Sequence, residues 1–203
     1  KNTKKWTPEG FGTLTKLIFE KYGKETILIG GNEDKEVCEK IDEISGGHTI
    51  NLAGKLSLKE SGALLSRAKF LVTNDSGPFH IARGVKCKTF VIFGPTSPGM
   101  FDFGENDTLI YSGESCAPCS LHGDKVCPKH HFNCMNNIKG EMVLKKIEKK
   151  IIELLKADVF VICVFDADVS RRSAAENKKL TTLKRRYEKN KNVLLCDSLQ
   201  SIE

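Results

Sequence analysis

Thr73-Asn74-Asp75-Ser76-Gly77-Pro78-Phe79-His80 stands between an apolar run, Phe70-Leu71-Val72, and the helical start Ile81-Ala82-Arg83. The run reads as a buried strand. Asp75 or Ser76 can cap the helix, and Pro78 suits its first turn. The pattern is strand, tight turn, helix N-terminus. Such a corner aims backbone N–H groups and the positive end of a helix dipole beyond the strand's carboxyl end, which suits a phosphate. Gly77 has no side chain and lets a ligand come close to the backbone. Ser76 and Gly77 supply N–H groups, Asp75 an acceptor, and His80, one turn into the helix, a donor for a phosphate or sugar oxygen. A capped helix with a satisfied histidine is the plain alternative.

Outward from this corner, strands and helices alternate. Pro8 with Leu14, Leu17 and Ile18 marks a helix. Thr26–Ile29 reads as a strand ending in Gly30-Gly31, and a helix follows from Glu33 to Ile44. His48–Leu52 is a short strand, and Ala53-Gly54-Lys55 a turn. Ser57 then caps a helix through Arg67, with Glu60 completing a capping box. Thr89–Phe93 and Thr108–Tyr111 are further strands. This alternation predicts an α/β fold with a doubly wound parallel sheet, in which ligands bind beyond the carboxyl ends of the strands. Gly30-Gly31, Lys55, Asp75–Gly77 and Gly94–Thr96 all follow strands and are expected on one rim. A loop from Gly113 to Asn137 leads to a closing helix marked by Met142, Val143, Ile147, Ile151, Leu154 and Leu155.

Composition narrows the class. The chain has 203 residues, 39% hydrophobic and 29% charged, ordinary values for a globular protein. No apolar run reaches the roughly 18 residues that span a membrane, and no secretory signal is recognisable. The first residue is not Met, and the chain reads as a piece of something longer. Net charge is +6, concentrated in the segment 171–191, where the plain reading is a solvated helix face. Cys38, Cys87, Cys163 and Cys196 are scattered through apparent helices and strands, as in a reducing compartment. Cys116, Cys119, Cys127 and Cys134 are clustered. Their spacing suits a tetrahedral structural zinc, with His122, His130 and His131 as spare ligands. An iron–sulfur cluster fits less well, and reduced surface thiols are the plain alternative.

The run Asn74-Asp75-Ser76-Gly77-Pro78-x-His80-Ile81-Ala82, followed by Phe93-Gly94-Pro95-Thr96-Ser97-Pro98, resembles glycosyltransferase family 9. Its members are the heptosyltransferases that build the lipopolysaccharide core from ADP-heptose. The likeness runs from about Lys4 to Leu155 and covers the nucleotide-sugar half of such an enzyme. It implies a Rossmann-like domain, one half of a GT-B glycosyltransferase, over 1–155. It implies an ADP-sugar donor, a lipopolysaccharide or other glycan acceptor, and no cofactor for transfer. The general base is expected in the absent N-terminal domain, so no catalytic residue is assigned and the fragment is expected to be inactive alone. A cytoplasmic location follows, with peripheral inner-membrane contact allowed and no nucleic acid partner. By the same resemblance Lys4 neutralises the departing diphosphate, although Lys5 is an equal neighbour. Glu33 or Asp34 binds ribose hydroxyls, Leu56 meets the adenine with Lys55 close by, and Thr96 lies on a rim loop. Many relatives carry Asp where Ser97 stands.

Beyond Leu155 the pattern changes. Val159–Phe165 reads as a strand ending in Asp166-Ala167-Asp168, followed by a basic helix and a strand at Val193–Leu195. This β-α-β extension over 156–203 is expected to begin a truncated second domain and weakly resembles the start of a Toprim-type domain, as in RloB-like proteins. Two further readings stand beside transfer. One is a non-catalytic nucleotide-binding or zinc-stapled module. The other is a magnesium-dependent nucleic-acid enzyme fragment built on Asp166 and Asp168.

Overall fold

Alternating burial along each strand explains the layered architecture. In β4 (Thr89–Phe93), Phe90 and Ile92 face one apolar cluster while Val91 and Phe93 face another. In β1 (Thr26–Ile29), Leu28 faces the first side and Ile27 and Ile29 the opposite one. A strand apolar on both faces needs a helical layer on each side, and this is the doubly wound solution. The computed structural model describes residues 2–151 and 160–163. Among them, six parallel strands form one sheet in the order β2-β1-β6-β3-β4-β5. The other strands are β2 (Thr49–Asn51), β3 (Leu71–Asn74), β5 (Asp107–Tyr111) and β6 (Phe160–Cys163).

One face is covered by α1 (Pro8–Tyr22), α2 (Lys35–Ser45), the short α5 (Asn133–Asn136) and α6 (Gly140–Ile151). The other carries α3 (Leu58–Arg67) and α4 (Gly77–Gly84). Local signals set several boundaries. Thr7 caps α1 by accepting from the Gly10 N–H, and Gly23, at φ 63°, ends it in the left-handed conformation. Ser57 and Glu60 form the expected capping box on α3. The helix expected from Glu33 is divided, because a short 3-10 turn over Asn32–Asp34 precedes α2.

Small residues set the helix spacing. A Cβ on Gly140 would lie 2.7 Å from the Leu14 amide nitrogen and 3.0 Å from the Thr13 side chain. Backbone cannot swing aside as a side-chain tip can, so Gly140→Ala is expected to destabilise the fold by about 1–3 kcal/mol. Chemical denaturation of the two proteins side by side would show this as a lower midpoint.

β6 lies between β1 and β3, with Thr26 opposite Phe160 and Leu71 opposite Val161. The boundary expected at 156 falls outside the described residues. The four residues described beyond it join the first sheet. Asp166, Asp168, the basic helix and the strand at Val193–Leu195 also lie outside the described residues.

Candidate functional site

The corner between β3 and α4 is built around a carboxylate that points away from its own helix. Asp75 is buried, and its Oδ2 accepts from Lys4 Nζ at 2.7 Å and from Thr96 Oγ1 at 3.1 Å. Asp75 and Thr96 lie beyond the ends of neighbouring strands, and Lys4 arrives from the N-terminal segment. The expected side-chain cap on α4 is therefore absent. Ser76 occupies the cap position in extended backbone without a side-chain hydrogen bond to the helix. Asp75 is committed to Lys4 and Thr96, and the Ser76 hydroxyl instead lies 3.4 Å from the Asn74 carbonyl. Through Oδ2, Asp75 orients the lysine.

The N-terminal segment is held in place by contacts that no local pattern reveals. The Trp6 amide donates to Asn74 Oδ1 at 2.9 Å, and the indole Nε1–H donates to the Ile138 carbonyl at 2.8 Å. The ring is 1% exposed and meets Phe11 edge-on, with centroids 4.6 Å apart. Gly10 makes room for it, since a Cβ there would lie 2.3 Å from the indole. This anchor distinguishes the two lysines that looked equivalent in sequence. Lys4 goes to Asp75, while Lys5 Nζ stands 3.5 Å from Asp34 Oδ1.

Asp34 and Glu33 separate in the same way. Asp34 is buried, and its Oδ2 accepts the Gly31 N–H at 2.8 Å, closing the turn after β1. Burial pushes its carboxyl pKa up, partly offset by the Gly31 N–H and Lys5. Glu33 is exposed on the same turn, so it is the acidic group of the pair that solvent reaches. The next loop is stitched to this turn, with the Gly54 N–H donating to the Gly30 carbonyl at 2.8 Å. Lys55 Nζ donates to the Asn51 carbonyl, so its ammonium closes the turn after β2. Leu56 is half-buried against the cluster beneath α3.

Gly77 and His80 are exposed on the first turn of α4. The His80 ring lies 5.4 Å from Phe79 and 5.9 Å from Phe101, centroid to centroid. The expected rim thus comes together at the strands' carboxyl ends, with Gly77 exposed and the half-buried Lys4 held by the buried Asp75 and Thr96. That cluster places one oriented ammonium beside a helix N-terminus, an arrangement suited to a phosphorylated ligand. Sequence reasoning assigned nothing to Asn74, although it lies inside the decisive stretch. An amide side chain at the carboxyl end of a fully buried strand was its visible signal.

The cysteine loop packs beside the rim. The N–H groups of Cys119 and Ser120 both donate to the Pro95 carbonyl, at 2.9 and 3.0 Å. Cys116, Cys119, Cys127 and Cys134 are free thiols, Cys134 buried and Cys119 exposed. Among the described residues, no three His, Cys, Asp or Glu side chains already form a metal-ligand set.

The family model for glycosyltransferase family 9 (heptosyltransferase) matches residues 1–130. The chain is similar to lipooligosaccharide heptosyltransferase 2 of Campylobacter jejuni, at 32% identity over 156 residues. That match covers 73% of this chain and 47% of that protein, so the chain spans about half the length of the curated relatives it matches. Two solved structures share the fold. A family 9 glycosyltransferase from Veillonella parvula gives a TM-score of 0.60 at 22% identity, covering 75% of this chain and 43% of that one. An E. coli heptosyltransferase solved with ADP-2-deoxy-2-fluoro heptose gives 0.53 at 21% identity, covering 73% of this chain and 40% of that one. With the parallel sheet and the Asn74–Ala82 corner in the places that the motif requires, the chain belongs to glycosyltransferase family 9.

Proposed function

We propose that this chain is the donor-binding half of a transferase that moves a heptose-like sugar from an ADP-sugar to a lipopolysaccharide core acceptor. One observation carries the reading: Lys4 is brought to Asp75 at the mouth of the β3–α4 corner, beside the exposed Gly77. In glycosyl transfer the leaving nucleotide departs as an anion while the sugar carbon becomes cation-like. Fixed positive charge beside the diphosphate therefore stabilises the transition state more than the ground state. Asp75 and Thr96 hold the ammonium in place before the ligand arrives, which removes an ordering cost from the binding step. Glu33 is the group assigned to the ribose hydroxyls, and His80 to an outer phosphate or sugar oxygen.

The acceptor and the general base belong to a second domain, so this half binds donor without turning it over. The reading is of a cytoplasmic protein with room for peripheral contact at the inner membrane. The free buried thiols Cys38 and Cys87 fit a reducing compartment. No helix of the described residues is long and apolar enough to cross a membrane.

Titration calorimetry with ADP tests the donor site. The wild-type chain is expected to bind ADP and to bind inorganic phosphate far more weakly. Lys4→Ala is expected to lower ADP affinity about tenfold, the scale of one lost charge-assisted contact. Absence of any ADP heat from the folded wild-type chain at millimolar nucleotide would overturn the assignment.

A further inference from the structure

The backbone around Lys4 is held on both sides. On the C-terminal side, the Trp6 amide donates to Asn74 Oδ1. On the N-terminal side stands Thr3, in a 3-10 turn over Asn2–Lys4. Thr3 is 4% exposed, and a buried threonine needs partners for its polar groups. It finds them in the backbone of Asp124, 121 positions further along the chain. The Thr3 N–H and Oγ1–H both donate to the Asp124 carbonyl, at 3.1 and 3.0 Å, and Oγ1 accepts the Asp124 N–H at 2.7 Å. A hydroxyl suits this place because it donates and accepts at once.

Asp124 belongs to the loop that also holds the second partner of Asp75. The Cys119 and Ser120 N–H groups donate to the Pro95 carbonyl at 2.9 and 3.0 Å. Pro95 precedes Thr96, whose hydroxyl donates to Asp75 Oδ2 at 3.1 Å. Lys4 Nζ meets the same oxygen at 2.7 Å. The loop thus has one foot beside Thr96 and the other beside Lys4. Between the feet lie Leu121, His122 and Gly123. Large apolar side chains do not hold this stretch, since Leu121 is 64% exposed and the nearby Val126 67%. The hydrogen bonds at its two feet fix it to the rim.

We infer that Thr3 is a positioning residue for Lys4, and that Cys119–Asp124 is a strap joining the two groups that meet at Asp75. The inference rests on the donor-site reading, in which the Lys4 ammonium faces the leaving diphosphate. A lysine carries its charge on a long flexible stem. Asp75 fixes the tip of that stem, while Thr3 and Trp6 fix the backbone from which it springs. Without the Thr3 hydroxyl the turn gains freedom that binding must remove again, and the cost falls on ADP affinity. Thr3 is buried and acts through Lys4.

The test is a double-mutant cycle read by calorimetry with ADP, with a thermal melt on each sample to confirm folding. Thr3→Val is expected to weaken ADP binding about threefold to fivefold, inside the loss expected for Lys4→Ala. Thr3→Ser keeps the hydroxyl and is expected to restore wild-type affinity. In the Lys4→Ala background, Thr3→Val is expected to change affinity no further, because the group it acts through is gone. A merely structural role would weaken both backgrounds equally. If Thr3→Val does not fold, Thr3→Ala, which leaves room for water at the Asp124 amide, takes its place in the cycle. Wild-type chain gives an independent reading: ADP is expected to slow amide exchange at Thr3 and Asp124, because coupling between two sites is reciprocal. A folded Thr3→Val chain that binds ADP like wild type, an equal loss in both backgrounds, or exchange unchanged by ADP would overturn the inference and leave the donor site standing. A wild-type chain that binds no ADP would overturn both.

Discussion

Gly77→Asp is expected to weaken ADP binding by at least about a hundredfold and to leave the fold intact. Two unit charges 4 Å apart interact by about 4 kcal/mol at an effective dielectric of 20, or roughly three orders of magnitude in affinity. Screening at an exposed position reduces that figure, hence the lower bound. The sign of the stability effect is opposite. The first turn of α4 contains no acidic residue, and a carboxylate at a helix N-terminus stabilises the helix by some tenths of a kcal/mol. Aspartate is also a better helix residue than glycine. The charge that helps α4 thus occupies the place claimed for the diphosphate. Calorimetry with ADP and a thermal melt on the same sample separate the two effects. A variant with unchanged ADP affinity would move the donor site away from this corner. A variant that melted much earlier would show that Gly77 serves packing instead.

Much of this frame is legible in the sequence because it rests on local chemistry. Thr26–Ile29 and Thr89–Phe93 are apolar after their opening threonine and flanked by turn residues, so their bounds follow from the pattern. Ser57 with Glu60 announces α3 in the same way. What escapes such reading is every contact made across the sheet. Asp75 looks like a helix cap because capping is a local option. A lysine from the chain's start out-competes that option, and only the tertiary structure supplies it. The same is true of Lys4 and Lys5, two adjacent cations that the fold sends to different carboxylates. The strand signal before Asp166 was plain, but its place between β1 and β3 was not. A run of buried apolar residues states that a strand exists; its neighbours in the sheet are set by the other strands.

Trp6→Ala is expected to cost about 3–5 kcal/mol of stability, the range for removing a fully buried aromatic. Three contacts go at once: the edge-on packing with Phe11, the filling of the space over Gly10, and the indole bond to the Ile138 carbonyl. The surroundings cannot collapse easily, because the vacated volume is walled by α1 and by the segment before α6. Trp6→Phe keeps most of the packing and leaves the Ile138 carbonyl without its indole donor, so its expected cost is about 1–3 kcal/mol. Denaturant unfolding of both variants gives these differences directly. The bond that ties the segment to the rim is made by the Trp6 backbone amide to Asn74 Oδ1, and it survives either substitution. Molecules of Trp6→Phe that remain folded should therefore hold Lys4 beside Asp75 and bind ADP within about threefold of wild type, less than the effect of removing that ammonium outright. A Trp6→Phe protein that kept its stability but lost ADP would contradict this division of labour, because the indole would then be touching the ligand and not the core.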